Sequence, residues 1–167
     1  MFHVGFENMQ EEVSIKGKPI EGYDLYLIDI NGGIYNKNQK KFIKPVPDKD
    51  GYARVILCCD GKVKAYQVHR LVANVYVPIP KRYSAKTYSA AKLEINHLDG
   101  DRQNNHKDNL EWCRPEENKL MMSIKQNYKG LVSYVTLVDI YKGDKDTMIK
   151  KYDLSDKVYD RIKEVLK

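Results

Sequence analysis

One stretch of this chain, LEINHLDGDRQNNHKDNLEWCRPEENKL at residues 93–120, constrains its fold more than any other. It crowds two His and five Asn among short apolar pairs. Leu93 and Ile95 alternate with polar residues, as do Leu110 and Trp112, which is the period of a half-buried strand. Between them, DGDRQNNHKDN opens on the turn dipeptide Asp99-Gly100 and is rich in Asn and Asp, which tolerate unusual backbone angles. Pro115 then suits the first turn of a helix, and Glu116 and Glu117 favour its N-terminal end. The stretch reads as strand, long loop, strand and helix.

Such a unit brings His97, at the end of the first strand, near Asn118, on the first turns of the helix. Asn96 sits beside His97 and points to the other strand face. Asn109 follows His97 by twelve residues and Asn118 follows Asn109 by nine. Amide oxygens are hard ligands suited to Mg²⁺ or Mn²⁺ rather than zinc, and Mg²⁺ keeps waters and takes phosphate oxygens, so few protein ligands are needed. An imidazole is a natural general base for activating water. These are the parts of metal-assisted phosphodiester hydrolysis. On residue types and spacing alone, a purely structural Asn-rich loop remains open.

The 167 residues suffice for one ordinary domain or two small ones, and 42% hydrophobic content allows a core. No apolar run is long enough to span a bilayer, and MFHVGFENMQEEV lacks the pattern of a signal peptide. Cys58, Cys59 and Cys113 form no CxxC pair and leave an odd count, which argues against a disulfide framework and a Cys-based zinc site and fits a reducing cytosol. Lys plus Arg number 29 against 23 Asp plus Glu, for a net charge of +6 and a pI near 9.0. That balance favours a polyanionic partner without identifying it.

Upstream, residues 1–16 read as a polar tail and 17–80 as a β-rich module. YDLYLIDING is a strand ending in the turn Asn31-Gly32-Gly33, and GIYNKNQKKFIKPV gives two short strands around a polar turn. Residues from Asp50-Gly51 onward form a hairpin that turns at Asp60-Gly61. Val68, Leu71, Val72 and Val75 then fall at helical spacing, with Pro78 and Pro80 stopping the helix. Lys62 and Lys64 share one strand face, which suits a ribbon lying along DNA or any solvated sheet face. His69 is expected to cap or pack between sheet and helix. Residues 81–92 read as a linker or insertion, and 93–125 hold the strand–loop–strand–helix unit. In 126–167 the sequence predicts a hairpin turning at Lys142-Gly143-Asp144, then a helix capped by Ser155 with Val158, Ile162 and Val165 on one face.

INHLDGDRQNNHKDNLEWCRPEENKL resembles the catalytic module of HNH endonucleases, in the form found in phage and intron-encoded homing endonucleases. His97, Asn109 and Asn118 match the signature in order and spacing, together with the flanking DG, NN and NLEW. KPIEGYDLYLIDINGGIYN, DGYARVIL and YQVHRLVANVYVP resemble the DNA-associated module that precedes it in this group, so the resemblance spans roughly residues 17–122. It implies a ββα-metal fold with His97 as general base, Asn118 and Asn96 as ligands of one Mg²⁺ or Mn²⁺, and Asn109 as a brace across the loop. Some relatives carry Asp at the position of Asn96, and a neutral amide binds a cation less strongly than a carboxylate.

The expected protein is therefore α+β: an N-terminal antiparallel β-sheet module, a ββα-metal module, and a C-terminal hairpin plus helix serving as an accessory DNA-binding or interaction segment. Its expected function is metal-dependent cleavage or nicking of double-stranded DNA, with a non-cleaving DNA-binding regulator as the alternative. Arg54, Lys62, Lys64, Arg70, Arg102, Lys107 and Arg114 are the candidate DNA contacts. The expected setting is the cytoplasm of a bacterial or phage-infected cell, with no membrane partner, and the length allows a monomer.

Overall fold

The computed structural model describes residues 16–83 and 92–167. The polar tail at 1–16, except Lys16, and most of the 81–92 linker lie outside the described residues. The first part builds two antiparallel sheets. One orders β1 (Lys18–Ile20), β2 (Tyr23–Ile28), β3 (Ile34–Asn36) and β4 (Lys41–Ile43); the other orders β5 (Val46–Pro47), β6 (Ala53–Cys59) and β7 (Lys62–Gln67). In β6 the period of two is strict. Ala53, Val55 and Leu57 are buried, and Arg54, Ile56 and Cys58 are exposed. Asp60 and Gly61 both take positive φ, 50° and 73°, so the β6–β7 hairpin closes on the turn geometry that matches strand twist.

Helix α1 (Val68–Tyr76) follows β7 directly and buries Val68, Leu71, Val72 and Ala73 against the sheets. The β2–β3 turn passes close beneath it. A Cβ on Gly32, whose φ is +88°, would lie 2.7 Å from Val68 Cγ1, so only Gly fits there. The same turn touches the long polar loop: Lys107 N donates to the Ile30 carbonyl at 2.8 Å. The upstream sheets thus hold the loop as well as their own core.

The strand–loop–strand–helix unit forms as expected. β8 (Glu94–His97) pairs antiparallel with β9 (Leu110–Cys113), and α2 (Pro115–Lys125) starts on Pro115. Leu93, Ile95, Leu110 and Trp112 join the core of the first sheets, and the Trp112 indole donates to the Val77 carbonyl at 2.9 Å. Cys113, Leu120, Met121 and Ile124 belong to a second core shared with the C-terminal helices. The β8–β9 hairpin lies between these two cores.

The expected C-terminal hairpin is absent. Residues Tyr134–Lys142 form α3 and Lys145–Tyr152 form α4, while α5 (Asp156–Val165) follows as expected, with Ser155 accepting from Val158 N. The reason is local capping. The Ser133 hydroxyl accepts from Val135 N, and Ser133 N donates to Thr136 Oγ1. Asp144 accepts from Thr147 N at 2.9 Å, so the Lys142-Gly143-Asp144 turn joins two helices rather than two strands. Val135, Thr136, Val138 and Ile140 favour strands by composition, but Leu137 and Ile140 bury one helical face against α2 and α5.

Candidate active site

β8 ends on two polar residues, and the strand's alternation sends them to opposite sides. His97 turns toward the first core and Asn96 toward α2. His97 is 5% exposed, and its Nε2 lies 3.3 Å from Asn105 Oδ1. The Asn105 amide nitrogen is already spent on the Gln103 carbonyl at 3.0 Å, so oxygen is the end facing the ring. An amide oxygen only accepts. Nε2 therefore carries the ring proton, and Nδ1 keeps the lone pair. Burial pushes the His97 pKa below its ordinary value, against the Asn105 bond and the Asp99 charge, so the ring is the free base at neutral pH.

Two aromatic groups wall this imidazole. The His69 ring centroid lies 5.0 Å away in an edge-on arrangement, and the Tyr52 ring lies 4.9 Å from His69 and 5.9 Å from His97. His69 is 4% exposed, and its Nδ1 is buried without a hydrogen-bond partner among the described residues. Desolvation first, then the neighbouring His97 and Arg70 charges, lower its pKa to about 3. His69 packs between sheet and helix, as the sequence suggests, but it packs against the proposed base. The signal was its place beside Val68 in VHRLVA, one turn before Val72 on the buried face of α1.

Such a histidine makes the fold acid-sensitive. The unfolded chain takes up a proton near 6.5, whereas the folded chain holds His69 neutral down to about 3. Between those values the unfolded state binds more protons, so stability is full above 6.5 and falls as pH drops through the window. Urea unfolding at pH 7 and pH 5 should differ by about 2 kcal/mol from this group. His69→Phe, which cannot titrate, should remove this group's share of the difference and leave the share of His97, whose pKa burial also lowers.

Asn109 bonds across the loop. Its Oδ1 accepts from Asp99 N at 3.1 Å, and its Nδ2 donates to Asp99 Oδ1 at 2.9 Å and to the Asn104 carbonyl at 2.8 Å. Leu98 N donates to the Asn109 carbonyl at 2.8 Å, so the residues directly after His97 are tied to the start of β9.

On the opposite face, Asn96 meets α2. Its Nδ2 donates to the Val132 carbonyl at 2.8 Å and contacts Met121 Sδ at 3.3 Å, while its Oδ1 accepts from the Lys125 ammonium. Lys125 also donates to the His97 carbonyl, and burial lowers its pKa to about 8, so it is charged at pH 7. Asn118 donates its amide to Glu94 Oε2 at 2.8 Å. In both asparagines the nitrogen end is spent, which leaves oxygen as the end that can ligate a cation, and on Asn96 the Lys125 ammonium already sits there. Asn96, His97, Asn118, Lys125, Tyr52 and Arg102 line one cleft of about 180 Å³. Among the described residues, no cluster of three or more His, Cys, Asp or Glu offers a different metal centre. The donor set fits a hard cation: two oriented amide oxygens, one of which already holds a positive charge.

The basic residues divide. Arg102 lies at the cleft with its guanidinium 4.7 Å over the Tyr52 ring, bonded to the Asp50 carbonyl. Arg114 is half-buried and engaged, its Nε 2.9 Å from Glu117 Oε1, and Lys107 pairs with Asp108. Arg70 is exposed on α1. Lys62 and Lys64 are exposed on the face that carries Leu57 and Tyr66, whereas Arg54 is on the opposite face beside Ile56. The structure therefore does not bring these three to one face.

A sequence profile of the HNH endonuclease family matches residues 66–120. An uncharacterized HNH endonuclease, L245, of Acanthamoeba polyphaga mimivirus is 36% identical over 134 residues, covering 72% of this chain and 38% of its own length. DNA endonuclease I-HmuI of Bacillus phage SP01 is 35% identical over 102 residues, covering 60% of this chain and 53% of its own. The solved structure describing DNA binding and cleavage by the HNH homing endonuclease I-HmuI superposes with a TM-score of 0.56 at 31% identity, over 77% of this chain and 67% of that one. The chain thus spans about half or less of these curated relatives' sequences. The fold holds His97, Asn109 and Asn118 in one ββα unit, and this chain belongs to the HNH endonuclease family.

Proposed function

We propose that this chain hydrolyses phosphodiester bonds of double-stranded DNA, nicking or cutting it with one divalent metal, in a homing or phage-associated role. The observation that carries the reading is the one cleft that a neutral, buried His97 lines together with Asn96 and Asn118. His97 Nδ1 takes the proton of the attacking water, and the Asn105 bond at Nε2 steadies the imidazolium that forms. Asn109 keeps the loop closed beneath that ring. Arg102 holds a backbone phosphate at the cleft rim. Asn96 and Asn118 would hold Mg²⁺ or Mn²⁺, which supplies positive charge for the scissile phosphate and the leaving 3′ oxygen. The products are a 5′ phosphate and a 3′ hydroxyl.

The exposed Arg70, Lys62 and Lys64, on other elements, and the α4–α5 pair, joined by a three-residue turn at Asp153, grip the flanking duplex in this reading. No helix among the described residues is long and apolar enough to cross a membrane. One observation favours the alternative, a non-cleaving DNA-binding regulator: Asn96 carries no charge where a carboxylate would serve better, and its oxygen meets Lys125.

Supercoiled plasmid separates the two. Conversion to relaxed or linear DNA with Mg²⁺ or Mn²⁺, abolished by EDTA, is the expected result. Retarded DNA without any cleavage means the regulator. Duplex binding should weaken steeply as salt rises, since phosphate contacts release counterions.

A further inference from the structure

We infer that Lys125 is a built-in rival of the metal: its ammonium occupies the seat on Asn96 Oδ1 and must be displaced before a divalent cation can bind there. The inference rests on the reading that Asn96 and Asn118 are the ligands, and it adds what sets their affinity.

Three observations carry it. The first is geometric fit. Asn118, Met122 and Lys125 follow at four- and three-residue intervals on one face of α2, and that face looks onto the side of β8 that carries Glu94 and Asn96. Lys125 therefore reaches the site from the same helix as the second ligand. The second is confinement. Asn96 is 2% exposed, and both ends of its amide are engaged, the nitrogen by Val132 and Met121 and the oxygen by Lys125. Rotating the amide would break the Val132 bond and present the wrong end to a cation, so the oxygen stays where it is and its partner must change. The third is the second anchor. Lys125 also donates to the His97 carbonyl, so the ammonium is held by two oxygens at the end of β8 rather than by one.

Two cations cannot share one buried amide oxygen without strong mutual repulsion. Metal binding at Asn96 therefore includes the work of removing Lys125 from both oxygens. The displaced ammonium stays on α2 at the cleft wall, where a phosphate group can take it up. Metal loading and phosphate binding should then favour each other, because the phosphate stabilises the state in which the seat is vacant for the metal.

The test is Mn²⁺ binding to the full chain without DNA, followed by calorimetry and by the Mn²⁺-induced rise in Tm. Lys125→Met removes the ammonium and keeps the length of the stem. It should bind Mn²⁺ about tenfold tighter or more than wild type. Lys125→Arg keeps a cation at the seat and should stay at the wild-type affinity or below. Adding Asn96→Ala to Lys125→Met should cancel the gain. Should Lys125→Met be unstable, the comparison of Lys125→Gln with Lys125→Arg serves in its place, with the neutral variant again binding tighter. If wild type binds Mn²⁺ and Asn118→Ala does not, but removing the Lys125 charge leaves affinity unchanged or lower, the rivalry is wrong and the metal reading stands. If no variant binds Mn²⁺, both are wrong.

Discussion

His97→Ala is expected to lower plasmid cleavage by roughly 10²–10⁴-fold while leaving Mn²⁺ binding at the amide pair in place. The two effects separate because the strand separates them. His97 faces the Tyr52–His69 wall, and Asn96, one residue earlier, faces α2. Removing the imidazole would remove the proposed proton acceptor without touching either amide oxygen. The ring is buried and bonded to Asn105, so the deletion also leaves a cavity, and a loss of activity alone could reflect loosened packing. His97→Gln guards against that. It fills much of the same volume and can reach Asn105, but it cannot accept a proton at neutral pH. Both variants should show similar losses in the turnover rate with little change in duplex affinity. If His97→Gln cleaves as well as wild type, His97 is not the base.

The ββα unit was legible in the sequence because every one of its signals is local. Leu93 and Ile95, and Leu110 and Trp112, alternate; Asp99-Gly100 turns; Pro115 starts the helix. The β6–β7 hairpin and α1 were legible for the same reason. Helix α5 was legible too, from its Ser155 cap, but α3 and α4 were not. In the sequence the β-branched residues of α3 mask the Ser133 and Asp144 caps, and burial of Leu137 and Ile140 against α2 and α5 adds to those caps in favouring the helical face.

The site shows the same division. His97, Asn109 and Asn118 stand at fixed spacings inside one short unit, so sequence alone could single them out. Lys125 and His69 reach it from farther away. His69 comes from α1, in a different module, and Lys125 bonds a residue on a strand that precedes it by nearly thirty positions. Nothing in KLMMSIKQ marks Lys125 as different from any solvated lysine. Its helical phase with Asn118 was readable, but phase gives a face and not a partner. The basic residues show the same limit. Arg114 looks like a free cation in the sequence, and it is the buried Glu117, three residues later, that claims it.

Glu117→Ala is expected to destabilise the protein by about 3–5 kcal/mol, the range for removing one partner of a buried charged network. Glu117 is 1% exposed, among the most buried polar groups described. Its Oε2 accepts from Arg114 N at 2.8 Å and from the Tyr83 hydroxyl, and its Oε1 accepts from Arg114 Nε at 2.9 Å. One carboxylate thus caps the first turn of α2, neutralises Arg114 and ties that turn to the segment at Lys81–Tyr83. Truncation removes all three acceptor contacts at once and leaves donors desolvated. Glu117→Gln keeps an oxygen for the backbone amide but loses the charge, so its cost should fall between wild type and Ala, at about 1–3 kcal/mol. Urea unfolding monitored through Trp112, which lies just before this turn, reports both. The change should also reach the chemistry. Asn118 is the next residue, and fraying of the first turn of α2 moves its amide relative to Asn96. Glu117→Ala should therefore weaken Mn²⁺ binding at temperatures where the chain is still folded, whereas an equally destabilising change in the first core, such as Leu57→Ala, should not. Equal Mn²⁺ affinity in the two variants would mean that the cap stabilises the fold without positioning the site.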